Sequence, residues 1–114
     1  MESLKELLAE VCHEVWRNID WERVSPSRRM RVYDEMTTKL RRAARVRTVE
    51  DFVSRLCNLW GVASLGNTEL LRRLEALTPE GKEELLRLAR EDAQYIIWLM
   101  RARIEEGRES HENG

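Results

Sequence analysis

The stretch that decides the fold class is residues 4–19, LKELLAEVCHEVWRNI. Its apolar positions recur at spacings of three and four, which places them along one side of an α-helix. These positions are Leu4, Leu7, Leu8, Val11, Cys12, Val15, Trp16 and Ile19. The period-two alternation of a half-buried strand is absent. Ser3 and Glu6 form a capping box, which predicts that the helix starts here.

Two further helices are predicted after a connection at residues 18–24. The second starts at Ser25-Pro26-Ser27, because a proline in the first turn lacks only a donor that the helix would leave unpaired. Its predicted inner face consists of Met30, Tyr33, Thr37, Leu40 and Ala44. The third starts at Thr48, whose side chain suits an N-cap. Trp60 on this helix and Trp16 on the first helix are both predicted to pack in the core.

The C-terminal half predicts two more helices. Gly66 is expected to be a left-handed stop, after which Asn67 or Thr68 opens a short fourth helix. Thr78-Pro79 opens a long fifth helix that we expect to end near Gly107. The polar residues 108–114 are predicted to be a disordered tail.

The fold class that follows is all-α: a compact bundle of about five helices, in one domain covering residues 1–107. A length of 114 residues suits one domain, and successive helices with short connections pack side by side around one core. No apolar run reaches the length of a membrane span, and the N-terminus lacks the apolar segment of a secretory signal. We therefore expect a cytoplasmic protein without membrane contact.

The residues that carry enzymatic chemistry are scarce. His13 falls on the wet side of the first helix and His111 in the predicted tail, while Cys12 and Cys57 occupy apolar positions where a thiol is not activated. No histidine or cysteine spacing matches a metal site, and no glycine-rich phosphate loop occurs. We predict no enzyme, no catalytic residue, no metal and no cofactor.

The charge is unevenly distributed along the chain. There are 20 basic and 21 acidic residues in total, yet residues 25–47 hold eight basic and two acidic ones, a net charge of +6. On a helical wheel the second helix presents a basic face about 25 Å long, opposite its apolar face. The predicted nucleic-acid contacts on it are Arg28, Arg31, Lys39, Arg42 and Arg45, with Arg101 added from the fifth helix. The alternatives to nucleic-acid contact are a solvated face that is paired with neighbouring acidic helices and a protein interface.

The fifth helix has more apolar residues than one buried face needs. Residues 93–100 contain seven apolar residues in eight, and Trp98 falls on the back of the helix near Arg101. Three interpretations stay open: a central helix packed on nearly all sides, an interface, or a base-stacking platform. The predicted interface residues are Tyr95, Trp98 and Leu99.

Residues 24–36, VSPSRRMRVYDEM, resemble the start of a helix in the small subunit of CRISPR effector complexes. The type III-A subunit is the nearest likeness and the type I-A subunit the second. There a Ser/Thr-rich cap leads into a basic helix with a tyrosine six residues after a serine, as Ser27 and Tyr33 stand here. Arg28 and Arg29 replace a polar-then-aliphatic pair, which is a departure from that pattern. The resemblance implies a non-catalytic subunit, present in several copies, that lines the groove beside the guide–target duplex.

The function predicted from these observations is a small helical subunit of a ribonucleoprotein complex, contacting the backbone of RNA or single-stranded DNA. Its expected partners are other protein subunits and further copies of itself. The alternative is a helical adaptor or dimerising regulator that acts through the apolar surface of the last helix.

Overall fold

The computed structural model describes residues 3–112, with side chains for residues 3–106. The helices are α1 (Leu4–Val15), α2 (Pro26–Ala43), α3 (Val49–Leu59), α4 (Thr68–Glu75), α5 (Pro79–Glu91) and α6 (Ala93–Glu112), with a 3-10 turn at Trp21–Arg23. No strand occurs within residues 3–112. The all-α prediction is therefore confirmed, while the predicted count of about five helices is corrected to six.

Four helix starts are fixed by side-chain caps at the predicted residues. In each case a side-chain oxygen accepts a hydrogen bond from the backbone N–H three residues later, which the helix itself cannot satisfy. The donor–acceptor distances are 3.1 Å at Ser3, 3.1 Å at Thr48, 3.0 Å at Asn67 and 3.0 Å at Thr78. The predicted starts of α1, α3, α4 and α5 are confirmed.

The predicted long fifth helix is two helices, α5 and α6, divided at Asp92. Asp92 has φ −117° and ψ 25°, outside the helical region, although its N–H still donates to the Leu88 carbonyl at 2.7 Å. Its carboxylate forms an ion pair with Lys5 of α1 at 3.4 Å. The sequence around Asp92 has neither the glycine nor the proline that usually marks the end of a helix. The apolar residues keep helical spacing on both sides of Asp92, so the pattern predicted one continuous helix.

The end of the last helix also differs from the prediction. Helix α6 continues past Gly107 to Glu112. A glycine lowers helix stability by about 1 kcal/mol relative to alanine without necessarily stopping the helix. The predicted disorder of residues 108–114 stays a prediction, because their side chains and the backbone of Asn113 and Gly114 lie outside the described residues.

The left-handed glycine is Gly61, not Gly66 as predicted. Gly61 has φ 66° and follows the C-cap of α3. The N–H of Val62 donates to the Cys57 carbonyl at 2.9 Å and the N–H of Gly61 to the Asn58 carbonyl at 3.2 Å. This pair of bonds is a Schellman motif, which satisfies the last carbonyls of the helix and needs a residue that tolerates positive φ.

We expect Gly61→Ala to lower the free energy of unfolding by about 1–2 kcal/mol, the cost of the left-handed conformation for a residue with a Cβ. An added Cβ at Gly61 meets no atom within 4 Å, so the loss is conformational rather than steric. Gly66→Ala is the matched control, because its added Cβ makes only an ordinary contact of 3.8 Å with Arg17. Urea denaturation of the two variants checks this, and an equal loss in both would contradict the assignment.

Helix α6 packs against both α1 and α2, and these contacts organise the core. The molecule measures 41 × 27 × 25 Å. The largest fully buried side chains come from α1, α2, α3, α4, α5 and α6 alike: Trp16, Phe52, Leu8, Met36, Leu40, Leu56, Leu74, Leu85, Ile96 and Met100 are among them. In the described part of the chain no helix is both long and apolar enough to cross a membrane.

The inner face of α2 is rotated from the one predicted. Its buried residues are Tyr33, Met36, Leu40 and Ala43, followed by Ala44 at the C-cap. Met30, predicted to be inside, is 53% exposed. The predicted face includes Met30 and Thr37 on one flank, whereas the buried face extends on the other flank, to Met36 and Ala43.

Candidate nucleic-acid interface

The N-terminal end of α2 is held by Arg29. Its Nε donates to the Val24 carbonyl at 3.1 Å and its Nη2 to the Trp21 carbonyl at 2.7 Å. The Trp21 ring in turn stacks on Tyr33, with centroids 5.0 Å apart and planes at 16°. Both of these hydrogen bonds from Arg29 are made within the fold. They hold the connection from α1 against the first turn of α2.

The C-terminal end of α2 is held by a residue from another helix. Arg90, at the end of α5, donates through Nη1 to the Ala44 carbonyl at 3.2 Å. A basic side chain is well suited to this position, because the last carbonyls of a helix have no partner within it. With both ends bonded and its inner face buried, α2 presents its outer side chains from a fixed backbone.

The outer face of α2 carries arginines without partners. Four of the predicted contacts, Arg28, Arg31, Arg42 and Arg45, are exposed, and Arg41 is exposed beside them. The guanidinium groups of these five residues make no hydrogen bond or ion pair with another residue in the described part of the chain. We call these five residues the arginine face; four of them lie on α2, and Arg45 lies in the loop directly after its C-cap.

Most of the other described arginines form ion pairs with carboxylates. Those that form ion pairs with carboxylates are Arg17, Arg23, Arg72, Arg73, Arg87, Arg101 and Arg103. Within residues 3–106, the exposed and unpaired arginines outside the arginine face are Arg47 in the loop after α2 and Arg55 on α3. Free positive charge is thus concentrated on α2 and the loop that follows it.

Arg87 on α5 shows the contrast with the arginine face. It lies between Glu84 and Glu91 and hydrogen-bonds to both carboxylates. These bonds raise the pKa of Arg87, and the hydrogen bond from Arg87 lowers the pKa of Glu84. An arginine held in this way has its charge balanced within the molecule, whereas the side chains of the arginine face form no ion pair with the described residues.

Three of the arginines border a shallow concavity. Arg41, Arg42 and Arg45, with Thr38, line a space of about 260 Å³ near the end of α2. Guanidinium groups are planar forks that match the oxygens of a phosphate, so converging arginines suit that ligand. Arg41 was missing from the predicted contacts because Met30, its neighbour on the wheel, was assigned to the core.

Lys39 differs from the other predicted contacts because the fold already engages its ammonium group. The Nζ donates to the Leu59 carbonyl at 3.3 Å, pairs with Glu35 at 3.2 Å and lies 4.2 Å from the centroid of the Trp60 ring. These contacts bind the end of α3 to α2. A phosphate contact at Lys39 stays a prediction and is not part of the arginine face.

Arg101 lies on α6 next to the arginine helix. Its Cζ is 5.3 Å from the centroid of the Tyr33 ring, and its Nε bonds to Glu105 at 3.0 Å. Arg101 therefore packs α6 against α2 while its charge is offset. Its predicted contact with nucleic acid stays a prediction.

The predicted aromatic surface of α6 is present. Trp98 is 57% exposed and Tyr95 is 46% exposed, while Leu99 is half-buried. The interpretation of this helix as packed on nearly all sides is therefore wrong for the described chain. The two tryptophans assigned to the core differ: Trp16 is buried and Trp60 is half-buried against it.

The described cysteines and histidine differ in burial: both thiols are buried and the imidazole is exposed. Cys12 is fully buried in α1, and burial raises the pKa of its thiol. Burial also raises the pKa of the Cys57 thiol on α3. His13 is exposed on α1, on the wet face where the sequence placed it. Within the described residues, no group of histidine, cysteine and acidic side chains could hold a metal ion.

Comparison with known protein families, with curated proteins and with solved structures finds no match for this chain.

Proposed function

We propose that the protein is a non-catalytic helical subunit that binds the phosphate backbone of RNA or single-stranded DNA through the arginine face of α2. The observation that carries this proposal is the absence of partners at Arg28, Arg31, Arg41, Arg42 and Arg45, while most other described arginines are paired. Four unpaired cations on the outer side of one helix, with Arg45 directly after it, attract a polyanion with regularly spaced charges.

The chemistry of the face favours phosphate over base edges. Arginine forks bind phosphate oxygens in pairs, and contacts to phosphate position a protein without reading sequence. The proposed binding is therefore independent of sequence. It is also directional, since the chain as a whole carries a net charge of −1, while most unpaired arginines of the described residues lie on this face.

Assembly with other subunits is part of the proposal. Five arginines on one helix give a limited number of phosphate contacts, and the salt dependence of such contacts makes a single copy a weak binder. Several copies along one strand, or a larger ribonucleoprotein around it, raise the effective concentration and hence the affinity. The small subunits of CRISPR effector complexes, which residues 24–36 resemble, are one such setting, and this resemblance stays a prediction.

The test is a salt titration of binding to labelled 20-nucleotide RNA and single-stranded DNA. The variant changes Arg28, Arg31, Arg42 and Arg45 together to alanine. We expect at least a roughly tenfold loss of affinity at low salt, and a slope of log K against log salt that is shallower by about 3, since four phosphate contacts are removed.

A control with the same loss of formal charge separates the face from the total charge. It changes four ion-paired arginines elsewhere to alanine, namely Arg17, Arg23, Arg72 and Arg87. We expect this control to keep the wild-type slope. The proposal fails if the wild type shows no salt-dependent binding to either strand, or if both quadruple variants lose binding equally.

A further inference from the structure

The exposed aromatic residues of α6 form a stacked pair. The ring centroids of Tyr95 and Trp98 are 5.8 Å apart, with their planes at 25°. From α1, the Nζ of Lys5 lies 5.0 Å from the centroid of Tyr95. Tyr95 thus has contacts to both Lys5 and Trp98, while Trp98 is 57% exposed and keeps most of its indole surface open.

This pair lies on a helix that packs against α2. Arg101 packs over Tyr33 of α2, and Arg90, just before α6, reaches Ala44 at the end of α2, so α2 and α6 run antiparallel. Trp98 is one turn before Arg101 and therefore lies level with the middle of α2. Arg41 lies about 80° around α2 from Tyr33, the residue that Arg101 contacts, so the aromatic pair and the arginine face are on neighbouring helices.

The charges around the aromatic pair are balanced. Lys5 is paired with Asp92 at 3.4 Å, and Arg101 with Glu105 at 3.0 Å. The surroundings of Tyr95 and Trp98 therefore add little attraction for phosphate. What the pair adds is an open aromatic face, and every nucleic-acid base has a π-face that stacks on such a surface.

The exposed apolar area is small for a protein partner. Two half-exposed aromatic side chains offer roughly 200 Å², whereas a stable interface buries about 800 Å² on each partner. Of the described residues, the one other large apolar side chain that is exposed is Met30 on α2. An area of this size suits a single planar group better than a second copy of the chain.

We propose that Trp98, supported by Tyr95, stacks on an unpaired base of the strand whose phosphates lie on the arginine face. This inference rests on the proposed function and sharpens it, because a base within a duplex has no free face to offer. The preferred ligand is then single-stranded, without preference for one base. Phosphate contacts on α2 and base stacking on α6 would hold the same strand.

The test compares two labelled strands of equal length and charge, oligo(dT) and a fully abasic oligonucleotide. We expect the wild type to bind oligo(dT) about tenfold more tightly than the abasic strand. Trp98→Ala should remove this preference and leave the slope of log K against log salt unchanged. Trp98→Phe, which keeps an aromatic ring, should retain part of the preference. The quadruple arginine variant should lose binding to both strands.

Fluorescence gives a second, independent measurement. Trp98 is the one exposed tryptophan in the described chain, since Trp16 is buried and Trp21 and Trp60 are half-buried. Stacking on a base should therefore quench the emission of wild-type protein when oligo(dT) is added. The quenching should be absent in Trp98→Phe and absent with the abasic strand.

The outcomes distinguish this inference from the proposed function. Equal affinity of the wild type for both strands overturns base stacking and leaves backbone binding intact. Binding to neither strand overturns both. If Trp98→Ala instead converts a dimer to a monomer in sedimentation, with no change in strand preference, the surface belongs to a second copy and the inference is wrong.

Discussion

Trp16→Ala should lower the free energy of unfolding by about 3–5 kcal/mol, whereas Trp98→Ala should change it by less than about 0.5 kcal/mol. The two residues are of the same type but lie in opposite environments. Trp16 is 2% exposed at the end of α1, and Trp98 is 57% exposed on α6. A native domain is stable by about 5–15 kcal/mol, so the first change removes a large share of the total.

The physical reason is the cavity left at Trp16. Its ring meets that of Trp60 edge to face, with centroids 5.2 Å apart and planes at 79°. Truncation removes this contact and the apolar burial, and the close-packed surroundings collapse only in part. Removing the exposed indole of Trp98 opens no cavity.

Urea denaturation followed by circular dichroism at 222 nm checks the comparison. Both variants should keep a slope against urea close to that of the wild type, so that the midpoints report stability. A loss of more than about 2 kcal/mol on Trp98→Ala would show that this side chain is part of the core, and the candidate surface on α6 would have to be abandoned.

The two thiols should react with a disulfide reagent at rates that differ by orders of magnitude between native and unfolded protein. In Cys57→Ala the remaining thiol is Cys12, which is fully buried. Burial raises its pKa, so that less of the reactive thiolate is present at pH 8. Reaction then requires opening of the fold, and we expect it to be at least about 10³-fold slower than in guanidinium chloride.

Cys12→Ala gives the matched comparison, because the remaining thiol is then Cys57. Cys57 lines an apolar groove of about 250 Å³ between α3, the loop after it and α4. Local movement of that loop is enough to expose it, so its reaction should be faster than that of Cys12 and slower than in the unfolded chain. Equal rates for the two native variants would mean that both thiols are exposed by the same opening.

The helix starts were predictable because their cause is local. Ser3, Thr48, Asn67 and Thr78 each bond to a backbone N–H three residues away, within a few residues of sequence. The side of a helix that faces the core was predictable where its pattern is strong, as for α1. The buried members of its predicted side are Leu7, Leu8, Val11, Cys12, Val15 and Trp16.

What could not be predicted depends on contacts between helices. The division at Asp92 involves Lys5, which is far away in sequence. Met30 is outside because the neighbours of α2 cover its other side. The prediction of Gly66 as the left-handed stop was wrong because a glycine alone does not show that it follows a C-cap, and the Schellman bonds place that role at Gly61.

For the candidate site, the sequence predicted where the basic residues lie but not which of their side chains lack a partner within the fold. The segment from 25 to 47 is visibly basic. Its members nevertheless have three different situations in the fold: Arg29 bonds to backbone carbonyls, Lys39 lies over Trp60, and Arg42 is free. Only the packing of the neighbouring helices separates cations that hold the fold together from cations left for a ligand.

The bond from Arg90 to the end of α2 has an electrostatic consequence for the arginine face. A helix carries a dipole whose C-terminal end is equivalent to about half a negative charge, and this end lies next to Arg42 and Arg45. A phosphate approaching there would be repelled by the free carbonyls. The guanidinium of Arg90, at 3.2 Å from the Ala44 carbonyl, offsets that charge. The opposite end of α2 is positive by the same dipole, so neither end of the helix adds to the negative charge of its two exposed carboxylates, Asp34 and Glu35.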